Sequence, residues 1–332
     1  MTRVSVVMPT YNRWEQLRVA LDALAAQTVP ADDLEVVVVS DGSTDETDDH
    51  LRAGRTPRPV VFVSQANRGA AAARNTGVDA ASGELVVFID DDVVAAPDCI
   101  AAHLAAHERS PGPRVVIGPL LTPTDTPLEP WVQWEQAMLY KQYDAMARGD
   151  WAPTARQFYT GNASLPRRMF VDIGGFDESF RRAEDVELAY RLNDAGVTFE
   201  FEFEARAFHH ARRSYESWLS IASSYGRSDV VFWRDHGQRW LVPTIRREYE
   251  DRHRLTRAYT RLGLAVPALS RLGARLAPRS SLAAQRLHLD VLSRQVLSAV
   301  YNHAYFDGLV TELGGLDEFL DTAPLPGDGW AG

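Results

Sequence analysis

The stretch VVFIDDDV, residues 86–93, joins four apolar residues to three consecutive aspartates. A short continuous apolar run is typical of a strand that is covered on both faces. Three neighbouring carboxylates repel one another unless a cation lies between them, and hard divalent cations prefer carboxylate and phosphate oxygens. Aspartates are also common where a strand turns into a loop, but three in succession favour a cation. The stretch therefore predicts a buried strand that ends at a metal site.

Apolar runs of the same kind precede this strand, and helical patterns separate them. The predicted strands are VSVVM (4–8), LEVVVV (34–39), VVFV (60–63) and LVVFI (85–89). Helices are predicted from the stripe of Trp14, Leu17, Leu21 and Leu24, from a capping box of Ser43 and Glu46, and from the run 69–81 closed by Gly83. Alternating strands and helices predict an α/β fold with a doubly wound, mostly parallel sheet and right-handed crossovers.

The second half of the chain changes from an α/β pattern to a helical one. Helices are expected over 128–147 and 184–196, and the alternation of Phe and Glu over 199–204 predicts a strand with one buried face. Strand signals cease at about residue 216, where leucine-rich stripes begin, the clearest of them formed by Leu289, Leu292, Val296 and Val300. We therefore expect an α/β domain over 1–215 and a helical C-terminal subdomain over 216–332.

Composition limits the classes of partner. The chain has 332 residues and a formal net charge of −10, which disfavours nucleic acid as a partner because phosphate binding requires a basic surplus. Cys99 is the single cysteine, so an intrachain disulfide is excluded and a reducing compartment is expected. The sequence shows neither a signal-peptide pattern nor an apolar run of about 18 residues. These features predict a cytoplasmic protein.

Polar residues follow the predicted strands at the points where a ligand is expected. Ligands of open parallel sheets bind beyond the carboxyl ends of the strands. Tyr11, Asn12 and Arg13 follow the first strand, Asp41 and Asp45 follow the second, and the aspartate triplet follows the fourth. If these ends share one rim, an aromatic ring, a lone carboxylate and an acidic cluster suit a nucleobase, an imide-like N–H and a metal-bound diphosphate.

Several motifs in order then carry a family resemblance. They are SVVMPTYNR, VVVVSDGSTD, NRGAAAARNTG, GELVVFIDDDV, TGNASLPRRMFVDIGGFDESF and EDVELAYRL. Together they cover roughly residues 3–210, and the chain resembles the family-2 glycosyltransferases, inverting enzymes with the GT-A nucleotide-sugar fold. The resemblance implies a GT-A domain that uses a nucleotide-diphosphate sugar and a divalent metal, Mn²⁺ or Mg²⁺.

The resemblance also implies residues for the nucleotide and the metal. The nucleotide and its diphosphate are expected to contact Pro9, Thr10, Tyr11, Arg13, Asp41, Arg74, Asp90 and Asp91, with Tyr11 and Asp41 holding the base and Asp91 facing the ribose or donor sugar. The D-x-D metal motif falls on Asp90 and Asp92, and His209 or His210 completes the metal site. Adjacent residues of an extended chain point to opposite faces, so only one histidine reaches a metal, and we favour His209.

The remaining implied residues surround the sugars. Gly161 and Asn162 of the TGN motif are expected beside the donor and acceptor, together with Glu184, and Asp185 is expected to be the general base. Asp185 opens a predicted helix, where backbone N–H groups favour an anion, and a carboxylate near an acceptor hydroxyl can take its proton. A purely structural carboxylate at a helix start is the alternative. The family usually has glycine before this pair, whereas this chain has Ala183.

The preferred hypothesis is a metal-dependent inverting glycosyltransferase that moves a sugar to a hydroxyl of a glycan, a lipid-linked substrate or a small molecule. UDP is the first choice of nucleotide, thymidine fits equally, and GDP stays open. The alternatives are a non-catalytic sugar-nucleotide-binding partner protein and a sugar nucleotidyltransferase. The latter generally has a glycine-rich basic loop after the first strand, which PTYNRWEQ lacks. A nicotinamide oxidoreductase is excluded because no G-x-G-x-x-G follows that strand.

Four further features have competing interpretations. His103 and His107 have the spacing of a metal pair but are interpreted as surface histidines, and Arg181 and Arg182 either grip the acceptor or are solvated. Trp131 and Trp134 form either a sugar-stacking platform or part of a core. Residues 261–278 suit either an interfacial helix in peripheral contact with the inner face of a membrane or, as we favour, ordinary packing with the arginines in solvent.

Overall fold

The computed structural model describes residues 3–109, 112–123, 127–210, 213–252 and 254–323. The chain divides into two compact units, one formed by Met1–Thr126 with Leu139–Ala211 and the other by Pro127–Met138 with Arg212–Gly332. The first unit is the α/β part and the second is helical. The expected domain boundary at residue 215 stays a prediction.

A seven-stranded, mostly parallel sheet forms the centre of the α/β unit. In chain order its strands are β1 (Val4–Thr10), β2 (Leu34–Asp41), β3 (Val61–Gln65), β4 (Leu85–Ile89), β6 (Arg114–Ile117), β8 (Asn162–Pro166) and β9 (Thr198–Phe201). Their spatial order is β3-β2-β1-β4-β8-β6-β9, with only β8 antiparallel to its neighbours. The predicted α/β fold with a doubly wound, mostly parallel sheet is confirmed.

The central strands are buried because valine-rich runs place apolar side chains on both faces of the sheet. All five residues of β4 are buried. The adjacent strand β1 and the next strand β2 are buried almost throughout. The run at 60–63 departs from this pattern. Its strand, β3, lies at the sheet edge, and Val61 is 37% exposed, because only one side of an edge strand has a neighbour.

A second, three-stranded sheet joins β5 (Val93–Ala95), β7 (Leu120–Leu121) and β10 (Ala207–His209). The strand predicted over 199–204 is therefore only partly correct. β9 ends at Phe201, and the chain turns at Glu202, whose carboxylate accepts a hydrogen bond from the backbone N–H of Glu204 (3.1 Å). Phe203 is 39% exposed as a result, although the alternation of Phe and Glu predicts that it is buried.

Helices cover the large sheet. In the α/β unit they are α1 (Trp14–Ala25), α2 (Thr47–Arg52), α3 (Ala70–Ala80), α4 (Cys99–Arg109), α6 (Arg167–Asp172) and α7 (Glu184–Asp194), and α5 (Pro130–Ala147) begins in the helical unit. Short 3₁₀ turns lie at Ala31–Asp33 and Ala155–Gln157.

Two predicted helix ends are wrong. The side chains of Ser43 and Glu46 do not cap α2, and the carboxylate of Asp45 accepts from the N–H of Thr47 (3.1 Å) instead. Helix α3 ends before Gly83, and a Cβ at Gly83 would lie 2.6 Å from the backbone nitrogen of Ser5. Glycine is needed there for the close approach to β1 rather than for a helix cap.

The helical unit contains α8 (Tyr215–Asp235), α9 (Leu241–Asp251), α10 (Arg254–Ala265), α11 (Pro267–Arg286), α12 (Asp290–Leu313) and α13 (Leu316–Asp321). Its core includes Tyr215, Trp218, Ala277, Leu297 and Val300, and Trp131 and Trp134 pack against it. Of the two interpretations of these tryptophans, the structure supports packing. Of the predicted leucine stripe on α12, Val300 is buried while Leu289 and Leu292 are about half exposed. Within the described residues, no helix is long and apolar enough to cross a membrane.

Candidate active site

The ends of β1, β2 and β4 meet at one edge of the sheet, as the parallel pairing requires. Tyr11 follows β1 with its side chain 48% exposed, so its ring is accessible to a ligand. Asn12 links the loops after β1 and β2. Its Oδ1 accepts from the backbone N–H groups of Thr44 (2.7 Å) and Asp45 (3.2 Å), and its own N–H donates to Ser43 (3.1 Å). Its φ of 54° lies in the left-handed region that asparagine tolerates.

Asp41 ends β2 with a buried carboxylate that other parts of the protein already use. Its oxygens accept from the side chain of Gln65 (2.7 Å) and from the backbone N–H groups of Arg68 (2.9 Å) and Gly69 (2.8 Å), immediately before α3. The side chain therefore fixes the entry into α3. Asp41 is only 5% exposed. A nucleobase that donated a hydrogen bond to its carboxylate would share the carboxylate with these three donors.

The three aspartates after β4 differ in environment. The side chains of Asp90 and Asp92 are 35% and 20% exposed, whereas that of Asp91 is 7% exposed. Asp91 accepts from the hydroxyl of Thr10 (2.8 Å) and from Arg13 (3.1 Å). Burial raises the pKa of Asp91 to about 6, against the opposing effects of Arg13 and Thr10. The outer two carboxylates are thus accessible, and the middle one is held within the protein.

Arg74, on α3, connects the triplet to the start of α7. Its buried guanidinium donates to Asp90 (2.7 Å) and to Glu184 (2.9 Å) and lies 5.8 Å from the centre of the Phe176 ring. Burial acts to lower the pKa of Arg74, but the charges of Asp90 and Glu184 outweigh it and raise the pKa. Arg74 is therefore a fixed positive charge that faces both acidic segments.

Asp92 and His209 face each other, with Asp92 Oδ1 and His209 Nε2 3.5 Å apart. Burial acts to raise the pKa of Asp92, but its hydrogen bond with His209 and the charges of His209 and Arg13 outweigh it, so the pKa lies below its ordinary value. The side chain of His210 is exposed, and its backbone N–H donates to the carbonyl of Asp92 (3.0 Å). Of the two histidines, His209 is thus the one that meets the triplet.

The donor chemistry fits a divalent cation, although the ligands are not fully assembled. One carboxylate oxygen and one imidazole nitrogen separated by 3.5 Å match two ligands of a single ion bound at roughly 2.1 Å each. Asp90 instead faces Arg74, and among the described ranges no group of three or more His, Cys, Asp or Glu side chains is arranged around a common point.

Gly161, directly before β8, and Asn162, the first residue of β8, have different surroundings. A Cβ at Gly161 would lie 3.3 Å from Asp90 Oδ2, so this glycine borders the site. Asn162 is fully buried, and its amide donates to the carbonyls of Pro119 (3.1 Å) and Ala205 (2.7 Å). Its side chain therefore points into the core, whereas the sequence interpretation places it beside the sugars.

His103 and His107 are not the surface histidines expected from the sequence. His103 is fully buried, with Nε2 2.9 Å from Asn162 Oδ1 and Nδ1 2.9 Å from Ser164 Oγ, and His107 Nε2 lies 2.9 Å from the same hydroxyl. Burial lowers the pKa of each to about 4. A neutral His103 that donates from Nε2 and accepts at Nδ1 satisfies this network, which supports β8 behind Gly161.

The start of α7 brings the predicted base to the same edge. Ala183 precedes the helix with a φ of 61°, a left-handed conformation that favours glycine. Asp185 Oδ1 accepts from the N–H of Val186 (2.9 Å). Burial, followed by the charge of Glu184, raises the pKa of Asp185 to about 7, while Arg74 opposes the rise. A carboxyl with this pKa can exchange a proton near neutral pH.

The tertiary structure thus brings most predicted site residues to one edge. Those at the edge are Pro9, Thr10, Tyr11, Arg13, Asp41, Arg74, Asp90, Asp91, Asp92, Gly161, Glu184, Asp185 and His209. Asn12, which links two loops of this edge, is placed at the end of the first strand by the sequence but is given no contact with the ligand there. Its position directly after a strand and before Arg13 was the available signal.

The chain belongs to glycosyl transferase family 2, whose model matches residues 5–174. Validoxylamine A glucosyltransferase from Streptomyces hygroscopicus subsp. jinggangensis is 36% identical over 222 residues, which cover 58% of this chain and 52% of that protein. The chain thus spans about half the length of that relative. The glucosyl-dolichyl phosphate glucuronosyltransferase of Haloferax volcanii is 26% identical over 324 residues, which cover 93% of this chain and 97% of that protein.

Solved structures share the fold. The mannosyltransferase PcManGT from Pyrobaculum calidifontis, solved with GDP-Man and Mn²⁺, has a TM-score of 0.64 and 23% identity, covering 94% of this chain and 87% of that one. S. aureus TarS in complex with UDP has a TM-score of 0.50 and 18% identity, covering 94% and 90%. The GT-A fold predicted from the sequence motifs is confirmed.

Proposed function

We propose that this protein is an inverting glycosyltransferase that requires a divalent cation and moves a sugar from a nucleotide diphosphate to a hydroxyl acceptor. The observation that carries the proposal is the array at the sheet edge, where Arg74 joins Asp90 to Glu184 and Asp185 follows directly. An acidic cation site, a fixed arginine and a carboxyl of raised pKa are the groups that such a transfer needs.

The nucleotide is proposed to bind across the ends of β1 and β2. The exposed ring of Tyr11 can stack on a base, with Pro9 and Thr10 beside it, and Asp41 can accept from an imide N–H of uracil or thymine. We favour UDP on this ground, although PcManGT is named with GDP-Man and TarS with UDP. Arg13 and Arg74 supply positive charge for the diphosphate, and Asp91 holds Arg13 in place.

Asp90, Asp92 and His209 are the proposed ligands of Mn²⁺ or Mg²⁺. Asp92 and His209 already face each other, and Asp90 would leave Arg74 to join them. The bound cation would act as a Lewis acid that stabilises the departing diphosphate. Arg74, once released from Asp90, could then neutralise phosphate oxygens of the donor.

Asp185 is the proposed general base. As the acceptor oxygen attacks the anomeric carbon, the hydroxyl proton passes to the Asp185 carboxylate while the bond from the sugar to the diphosphate breaks. A single displacement inverts the anomeric centre and leaves no covalent enzyme intermediate. Gly161 lies beside Asp90 and has no side chain, so it leaves room for the sugars. Glu184 accepts a hydrogen bond from Arg74 and keeps its guanidinium oriented.

The proposed acceptor carries a hydroxyl group. A glycan, a lipid-linked substrate or a small molecule each fits, and the relative matched over 93% of this chain is named for glucosyl-dolichyl phosphate. Peripheral contact of residues 261–278 with the inner face of a membrane would bring the enzyme to a lipid-linked acceptor. A cytoplasmic location suits the nucleotide-sugar donor.

A donor screen tests the proposal. The melting temperature of the protein is measured with UDP, dTDP and GDP sugars, with and without Mn²⁺, because a ligand that binds the native state raises it by mass action. We expect one donor to stabilise the protein only with the cation, and Asp92→Asn to lose that increment while the metal-free melting temperature changes little. A cation-independent increment would contradict the metal role. Binding without transfer or hydrolysis would instead favour the non-catalytic sugar-nucleotide binder.

A further inference from the structure

Two helices of the helical unit have small residues at their buried positions and expose most of their leucines. The buried positions of α10 and α11 are Thr260, Gly263, Ala277, Ser281 and Ala284. The exposed apolar side chains, each at least 38% accessible, are Leu255, Leu262, Val266, Leu269, Leu272 and Leu276. A surface helix of a globular protein normally has the reverse arrangement. The packing of 261–278 favoured from the sequence is therefore wrong for these leucines.

The exposed leucines of α11 form one stripe. Leu269, Leu272 and Leu276 recur at helical spacing, so their side chains lie above one another on the same face. The neighbouring helix α10 folds back beside α11, since a Cβ at Gly273 would lie 2.5 Å from Tyr259 Oη. The close approach explains why small residues occupy the inner face. It leaves the leucines facing outward.

Arginines accompany this apolar stripe. Residues 254–294 contain eight arginines and one acidic residue, Asp290, within a chain of formal net charge −10. Arg271, Arg275 and Arg279 follow one another at i,i+4 spacing beside the leucine stripe, and all three are exposed. Within the described part of the chain these three make no ion pair, whereas exposed arginines of the α/β unit such as Arg18 and Arg168 do.

We propose that α10 and α11 form a docking surface for a membrane that contains anionic lipid. A membrane interface offers an apolar layer for the leucines and negative headgroups for the arginines, which are the two properties that this surface presents. A second copy of the chain fits less well, because a symmetric contact would bring like-charged arginine stripes together. The proposal does not depend on the identity of the donor or of the acceptor.

Vesicle sedimentation of the full-length protein tests the proposal. The probes are vesicles of phosphatidylcholine alone and vesicles in which about one third of the lipid is phosphatidylglycerol. We expect binding to the anionic vesicles to be at least about tenfold tighter than to the neutral ones and to weaken as salt is added. Equal binding to both, or no binding to either, would overturn the proposal.

Matched variants separate this surface from net charge. Arg271→Glu/Arg275→Glu/Arg279→Glu should weaken anionic-vesicle binding at least about tenfold. Arg18→Glu/Arg55→Glu/Arg168→Glu changes net charge equally on exposed arginines of the α/β unit and should leave binding near the wild-type value. Equal losses in both triple variants would overturn the assignment to this surface.

A third variant tests the leucines. Leu272→Ser/Leu276→Ser should weaken vesicle binding while the melting temperature is unchanged or rises, because both side chains are more than half exposed. If this variant instead converts a dimer into a monomer and vesicle binding is unaltered, the surface is an interface between copies of the chain and the membrane proposal is wrong. Circular dichroism of each variant establishes that the helices are intact.

Discussion

Arg13 and Asp92 form an ion pair, with Arg13 Nη1 3.1 Å from Asp92 Oδ2, and the same nitrogen lies 3.1 Å from Asp91 Oδ1. Arg74 pairs with Asp90 in the same way. Two arginines therefore pair with the three carboxylates of the triplet. A divalent ion held by Asp90, Asp92 and His209 would compete with these arginines for the carboxylates, and a displaced arginine could then pair with the donor diphosphate.

The first prediction concerns this competition. Arg13→Gln should raise the affinity for Mn²⁺ alone by about two- to fivefold, because a half-exposed ion pair contributes about 1 kcal/mol or less. The same variant should weaken binding of the nucleotide-sugar donor. Isothermal titration calorimetry with Mn²⁺ measures the first effect. Arg18→Gln is the control, since Arg18 lies on α1, which Arg13 directly precedes, and pairs with Glu15 and Asp22. An equal change in this control would refute the role of Arg13.

The second prediction concerns the base. Asp185→Asn should lower the rate of transfer by a factor of about 10² to 10⁴ while donor affinity stays near normal, because the amide cannot accept a proton. Single-turnover transfer and donor binding by calorimetry separate the two effects. Glu187→Gln is the control two residues further along α7, since Glu187 pairs with Arg191. Wild-type transfer in Asp185→Asn would assign the base to another residue.

The third prediction is the pH dependence of transfer. The base is active when deprotonated, and the pKa of Asp185 is raised to about 7 by burial and by Glu184. The value of kcat/KM should therefore rise about tenfold per pH unit below pH 7 and level off above it. Glu184→Gln removes the neighbouring negative charge, so the rise should move to lower pH. An acid limb that does not move would exclude Asp185 as the titrating group.

The fourth prediction concerns Ala183, whose left-handed conformation is costly for a residue with a Cβ. Ala183→Gly should raise the free energy of unfolding by about 0.5–1 kcal/mol. The free energy gained by relieving the backbone strain exceeds the free energy lost because glycine gives the unfolded chain more conformations. Urea denaturation measures the change. Ala195→Gly, at an ordinary φ of −81°, should instead destabilise the protein. Loss of stability in Ala183→Gly would show that the backbone is not strained there.

The fifth prediction is acid sensitivity. Burial lowers the pKa of His103 to about 4, so the folded state holds it neutral while the unfolded state binds a proton below its ordinary value of 6.5. Stability from this group is therefore complete above pH 6.5 and is lost as pH falls through 4, by on the order of 3 kcal/mol.

Denaturation at a series of pH values between 4 and 8 measures this loss. His103→Gln should flatten the dependence, although it lowers stability at neutral pH. His288→Gln replaces an exposed histidine and should leave the curve unchanged. If both variants retain the wild-type slope, acid sensitivity arises elsewhere.

The strands and the edge that they share were predictable from the sequence. Val6, Val38 and Val87 belong to runs so rich in β-branched residues that only a covered sheet accommodates them, and each is buried. Because parallel strands end at one edge, the positions of Tyr11 and Asp90 followed from the order of the elements alone.

Side-chain direction was not predictable in the same way. Asn162 belongs to the TGN motif, but its amide is directed into the core by three-dimensional contacts with Pro119 and Ala205, which are distant along the chain. His103 likewise is buried because α4 lies against β8. The hydrophobic periodicity of a helix does not indicate which other element will pack against each of its faces.

The amino-acid sequence by itself determined the class of fold, the family and the acidic end of β4, because local runs and ordered motifs encode them directly. Only the tertiary structure decided that Arg13 and Arg74 pair with the triplet, that His209 rather than His210 meets Asp92, and that the leucines of α11 face outward. Those outcomes depend on contacts between residues far apart in the chain, where small differences in packing and charge select one arrangement among several.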